Sequence, residues 1–94
     1  MVVITSQYVK PVEVLDALLS EHRAFLDVHY KHGKFVCSGP QVPRVGGVII
    51  ANVGIEEAKE IMKQDPFTVH GVSEYRFIEF DPVKYDERFS CFVS

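Results

Sequence analysis

Residues 12–33, VEVLDALLSEHRAFLDVHYKHG, decide how this chain is folded. Leu15, Leu18, Leu19, Phe25 and Leu26 recur at helical spacing and make one apolar stripe. Pro11 stands just ahead of the stretch, at a first-turn position where its missing N–H has no intrahelical partner to lose. Gly33 stands where a helix end takes a left-handed residue, and His29, Lys31 and His32 meet the negative end of the dipole. The stretch predicts an amphipathic helix over residues 12–32.

Working outward, residues 2–9 (VVITSQYV) are β-branched and aromatic enough to predict a strand, which Lys10-Pro11 ends. Lys34–Ser38 predicts a short second strand and Gly46–Asn52 a third, with a connection through 39–45 short enough for a hairpin. Residues 55–64 carry Glu56, Glu57 and Glu60 toward the helix start and Ala58, Ile61 and Met62 on one face, predicting a second helix that Pro66 stops. Ser73–Phe80 predicts the last strand, closed by Asp81-Pro82. The order is βαββαβ. With right-handed crossovers both helices lie on one face of a single sheet, so the fold class is α+β, the ferredoxin-like split βαβ arrangement. The strands nevertheless put apolar residues on both faces: Val3 and Ile4, Val48 and Ile49, Phe77 and Ile78. The face without helices needs a cover, and sheet-to-sheet homodimerisation supplies one.

The 94 residues leave room for one domain, with a core over about 2–80 and a C-terminal tail over 81–94. Tyr85, Phe89, Phe92 and Val93 make that tail more apolar than a free end needs, so it is expected to pack. Ten basic residues against 13 acidic ones, scattered rather than striped, argue against nucleic acid as a partner. No apolar run approaches the ~18 residues of a membrane span, and no basic region precedes the first apolar stretch, so no membrane partner and a cytoplasmic location are expected. Cys37 and Cys91 have neither framework nor metal-ligand spacing; both read as reduced thiols, with Cys37 packed as a small hydrophobe. No cofactor or metal is expected. His29 and His32 lie three apart on one helix, but no third ligand completes a metal set, and Gly46-Gly47 lacks the following helix of a phosphate cradle.

Two polar residues fall on inward faces. His22 follows Leu15, Leu18 and Leu19 by helical intervals and so lies within the stripe of the first helix. Asp65 follows Ala58, Ile61 and Met62 in the same way on the second, although the proline after it disfavours helical backbone there and leaves a turn position open. A buried imidazole without a partner costs about 1–3 kcal/mol, so His22 calls for one, and Asp65 can supply it. Taken singly, a satisfied core histidine and an Asp-Pro turn former remain alternatives. Ser38 at a strand end can add a hydroxyl, and Arg44 in the following loop can hold a substrate carboxylate.

The run Glu21-His22-Arg23-Ala24-Phe25-Leu26, then Gly33, Ser38-Gly39-Pro40, Gly46-Gly47, Ala58, Asp65-Pro66-Phe67 and Gly71, resembles the YciI-like (YCII-related) domain family over roughly residues 2–85. The resemblance implies a dimeric ferredoxin-like α/β barrel akin to muconolactone isomerases. It also implies a pocket with a histidine and an aspartate, which fall here on His22 and Asp65. The 39–45 connection is shorter than the glycine-rich loop of some members, which alters the mouth of the pocket.

An imidazole with an ordinary pKa near 6.5 exchanges protons at neutrality, and an adjacent carboxylate fixes its tautomer. One function that fits is an enzyme of isomerase, lyase or dehydrohalogenase type acting on a small organic substrate through a His22–Asp65 dyad. A ligand-binding or sensing dimer, or a dimer in which the pair is only a buried polar contact, are the alternatives.

Overall fold

A computed structural model describes residues 1–93. The central strand β1 (Val2–Tyr8) leads into α1 (Val12–Lys31), and β2 (Phe35–Pro40) and β3 (Gly47–Ala51) form the expected hairpin. Then come α2 (Ile55–Met62), a one-turn helix α3 (Pro66–Val69), β4 (Ser73–Glu79) and a 3-10 segment at Glu87–Phe92. The sheet runs β2-β3-β1-β4 and every pairing is antiparallel. This is a small α+β fold of ferredoxin-like type. No helix among the described residues is long and apolar enough to cross a membrane.

Strand alternation sorts the side chains. Val2, Ile4 and Ser6 of β1 are buried on one face, and Ile49 and Ala51 of β3 lie beside them in register. Together with Phe35, Ala58, Ile61 and Met62 they form the main core cluster, which Phe25 and Leu26 of α1 cover. Full burial of an aliphatic side chain is worth about 1.5–3 kcal/mol, so this row and the helix stripes opposite it hold the layers together. A second cluster of Leu15, Phe67 and Val72 sits at the other end of α1. On the open face Val3, Val48 and Ile50 are half-buried and Ile78 is 58% exposed.

The end of α1 is built as its sequence predicts. Gly33 adopts φ +71°, its N–H donates to the Tyr30 carbonyl, and the Lys34 N–H reaches back to the His29 carbonyl.

Two expectations need correction. Pro66 does not simply stop a helix: α2 ends at Met62, and Pro66 opens α3 with Asp65 as its N-cap. A proline at the first position loses no hydrogen bond, and an aspartate before it accepts one, so Asp65-Pro66-Phe67 is a helix start. Cys37 is exposed, not packed in the core; a bulge between Phe35 and Cys37 sets it opposite Ile50 on the open face. Gly46, just ahead of β3, also has a steric requirement for glycine, because a Cβ there would lie 1.8 Å from the Ser6 carbonyl oxygen. Ser6 also accepts from the Gly47 N–H through its hydroxyl, and its carbonyl from Gln41 Nε2, so the 41–46 loop is fastened directly onto β1. In the tail the rings of Phe89 and Phe92 pack on each other at 5.2 Å, while Tyr85 is exposed.

Candidate functional site

His22 sits on the inner side of α1, three residues and so nearly one turn beyond Leu19, and its side chain is 16% exposed. Asp65 comes from the α2–α3 junction and is completely buried. His22 Nδ1 lies 2.8 Å from Asp65 Oδ1, so the structure brings the two together, though by the cap of α3 rather than by the periodicity of α2.

Asp65 is a hub. Its Oδ1 also accepts from the Phe67 N–H at 3.1 Å, and its Oδ2 accepts a short hydrogen bond from the Tyr75 hydroxyl. All three neighbours are donors when His22 carries its proton on Nδ1, which matches a carboxylate that only accepts. Burial, reinforced by the adjacent Asp65 charge, pushes the Tyr75 phenol well above the ordinary tyrosine range, so it remains a donor. The His22 ring lies on the Phe67 ring, with centroids 4.0 Å apart and planes 7° from parallel. A hydrogen bond at one edge and a ring against one face fix the imidazole in both rotation and tilt. Its other nitrogen, Nε2, makes no bond to the described residues and is not sealed from solvent.

His22 lines a pocket of about 460 Å³ between α1, the inner face of the sheet and the β2–β3 hairpin. Ile4, Ile49, Leu19, Leu26 and Phe67 give it apolar walls drawn from both core clusters or the helix stripe over them. Ser6 and Tyr75, cross-strand partners on β1 and β4, line its floor. Ser38 lines it too and shares a 2.6 Å hydrogen bond with the Tyr30 hydroxyl. Arg44 reaches the wall from the 41–46 loop, but its Nη2 already donates to Asp16 at 2.7 Å and its guanidinium lies 5.8 Å from the centre of the Tyr8 ring. The bond to Asp16 first, and then the neighbouring Tyr8, hold that guanidinium still more firmly protonated. Among the described residues no group of three or more His, Cys, Asp or Glu side chains is placed to hold a metal ion.

Tyr75 and Phe67 were not picked out as site residues from sequence. Strand alternation places Tyr75 two positions from buried Ser73 on the inner face, and an inward phenol needs a polar partner. Phe67 could be found by reading Asp65-Pro66 as a cap, because the residue after the proline then supplies the capped N–H.

A four-stranded antiparallel sheet carrying its helices on one face, with an imidazole set on a buried carboxylate beside a largely apolar pocket, is a ferredoxin-like α+β fold with a candidate ligand pocket. The chain belongs to the YCII-related domain family, whose sequence pattern matches residues 1–81. No curated protein matches it in sequence. Among solved structures the chain is similar to 5-chloro-2-hydroxyhydroquinone dehydrochlorinase (TftG) from Burkholderia phenoliruptrix, determined in complex with 2,5-dihydroxybenzoquinone. The TM-score is 0.71 at 18% identity, over 94% of this chain and 98% of that one, a likeness of fold.

Proposed function

We propose that this protein is an enzyme that moves a proton on a small oxygenated or carboxylated organic molecule, with His22 as the acid–base group. The observation that carries the reading is the setting of one imidazole: Nδ1 is anchored on buried Asp65, while the ring lines the pocket and leaves Nε2 without a hydrogen-bond partner among the described residues.

With Nδ1–H donated to Asp65, the Nε2 lone pair is the free base. It takes a proton from the substrate, and the imidazolium so formed is stabilised by the carboxylate beside it. In an isomerisation His22 returns the proton to a different substrate atom. In an elimination the electron pair of the broken C–H bond becomes a π bond as the leaving group departs with its own pair. The fold shared with a dehydrochlorinase supports elimination as one candidate. Tyr75 is a positioning residue, since it holds the Asp65 oxygen that His22 does not use. Ser38 and Arg44 are substrate-binding residues in this reading, one offering a hydroxyl and the other a charge at the wall. The assembly we propose is a cytoplasmic homodimer joined through the open face of the sheet, where Val3, Val48, Ile50 and Ile78 supply apolar surface.

The test is turnover. Chlorinated and unchlorinated hydroxyhydroquinones are incubated with the wild type and with His22→Asn, following chloride release and uptake of solvent deuterium. Activity present in the wild type and lost in the variant is expected. Equal rates in the two proteins would sink the assignment.

A further inference from the structure

The wall of the pocket carries two arginines and a histidine, and no aspartate or glutamate. That is a biased sample of a chain with 13 acidic residues against ten basic ones. Two carboxylates stand against lining residues: Asp65 is completely buried against His22 and Tyr75, and Asp16 is paired with Arg44. The two arginines differ. Arg44 is engaged by Asp16 and lies against Tyr8, so a ligand must displace a partner to use it fully. Arg23, next to His22 on α1, is exposed at the pocket and takes part in none of the ion pairs among the described residues.

We infer that the pocket selects small organic anions with an apolar body, and that Arg23 engages the negative group first, with Arg44 adding its charge only where the ligand displaces Asp16. The inference rests on this pocket being the ligand site. Ile4, Leu19, Leu26, Ile49 and Phe67 receive the hydrocarbon part. A carboxylate or oxyanion at the rim takes charge-assisted bonds from the Arg23 guanidinium, whose planar fork suits two-point contact. Because His22 and Arg23 both line this pocket, an anion held by Arg23 keeps the body of the ligand in the space that His22 borders.

Isothermal titration with 2,5-dihydroxybenzoate and its uncharged primary amide tests this without requiring turnover. The wild type is expected to bind the acid more tightly than the amide, with the difference shrinking as salt is added. Arg23→Gln is expected to weaken acid binding by about tenfold or more while leaving amide binding unchanged, and Arg23→Lys to restore part of the loss. Equal affinity of the wild type for acid and amide, failure of the wild type to bind the acid, or an Arg23→Gln affinity equal to wild type would overturn the inference. The proton-transfer reading is scored separately by His22→Asn. Turnover that depends on His22 but shows no charge preference removes the anion site alone, whereas an Arg23-dependent charge preference with no turnover removes the enzyme alone.

Discussion

The imidazole of His22 lies flat against the ring of Phe67, and the backbone N–H of Phe67 donates to the same Asp65 oxygen that His22 uses. One short turn therefore supplies the carboxylate that fixes the edge of the imidazole and the ring that supports its face.

Asp65→Ala is expected to cost about 3–5 kcal/mol, because it leaves the Phe67 N–H, the Tyr75 hydroxyl and His22 Nδ1 without their acceptor in a buried place. His22→Asn, on the pocket side of the same contact, is expected to cost less, about 1–3 kcal/mol, while removing turnover. Urea unfolding of both variants beside the turnover assay measures the contrast. Equal destabilisation, with no ligand or reaction found for the wild type, would favour a purely structural pair.

Tyr75→Phe is expected to change the alkaline limb of stability. Below about pH 10 the phenol is protonated in both the folded and the unfolded chain; above it the unfolded chain releases the proton and the native site, with its raised pKa, keeps it. The unfolded state then binds fewer protons, so Tyr75 contributes a loss of about 1.4 kcal/mol per pH unit as pH rises past that point. Denaturant midpoints at pH 9, 10 and 11 should fall less steeply in the variant than in the wild type. Parallel curves would mean that the phenol ionises freely in the fold.

Gly46→Ala is expected to destabilise the fold by on the order of 3 kcal/mol, since the added carbon meets a backbone carbonyl that cannot rotate away. Gly39→Ala, where nothing lies within 4 Å of the added carbon, is the matched control and should be close to neutral in stability. Thermal unfolding of the pair checks the difference.

Ile78→Glu is expected to leave the fold intact and to separate the proposed dimer, because Ile78 is 58% exposed on the open face and contributes nothing to the inner core. Sedimentation at micromolar concentration should show a wild-type dimer and a variant monomer. A wild-type monomer would remove the sheet-face interface from the proposal.

The long helix and its end were legible because period and punctuation agree: the stripe from Leu15 to Leu26 and the left-handed Gly33 each mark the same element. The strands were legible to within a few residues for the same kind of reason, as alternating segments between strong turn residues. His22 and Asp65 were legible as partners, but the path to Asp65 was not. Counting from α2 put it on the right side of the molecule through the wrong geometry, since Pro66 begins a new turn. Ser6 and Tyr75 escaped notice because their roles depend on which strands become neighbours, and register is a long-range property. The misplacement of Cys37 has a local cause, a bulge that shifts side-chain parity by one residue.

The cap that Asp65 provides has a consequence for inheritance. This aspartate answers to two separate requirements, the start of α3 and the orientation of His22, whereas the histidine begins no element and closes no turn. Under the proposed proton-transfer role, a lineage that gives up the chemistry keeps folding selection on the aspartate and its tyrosine, while selection on the histidine relaxes to its smaller packing contribution. The position to compare among descendants is therefore 22: under the proposed role its loss marks an abandoned reaction, and the survival of Asp65 alone marks only that the chain still folds.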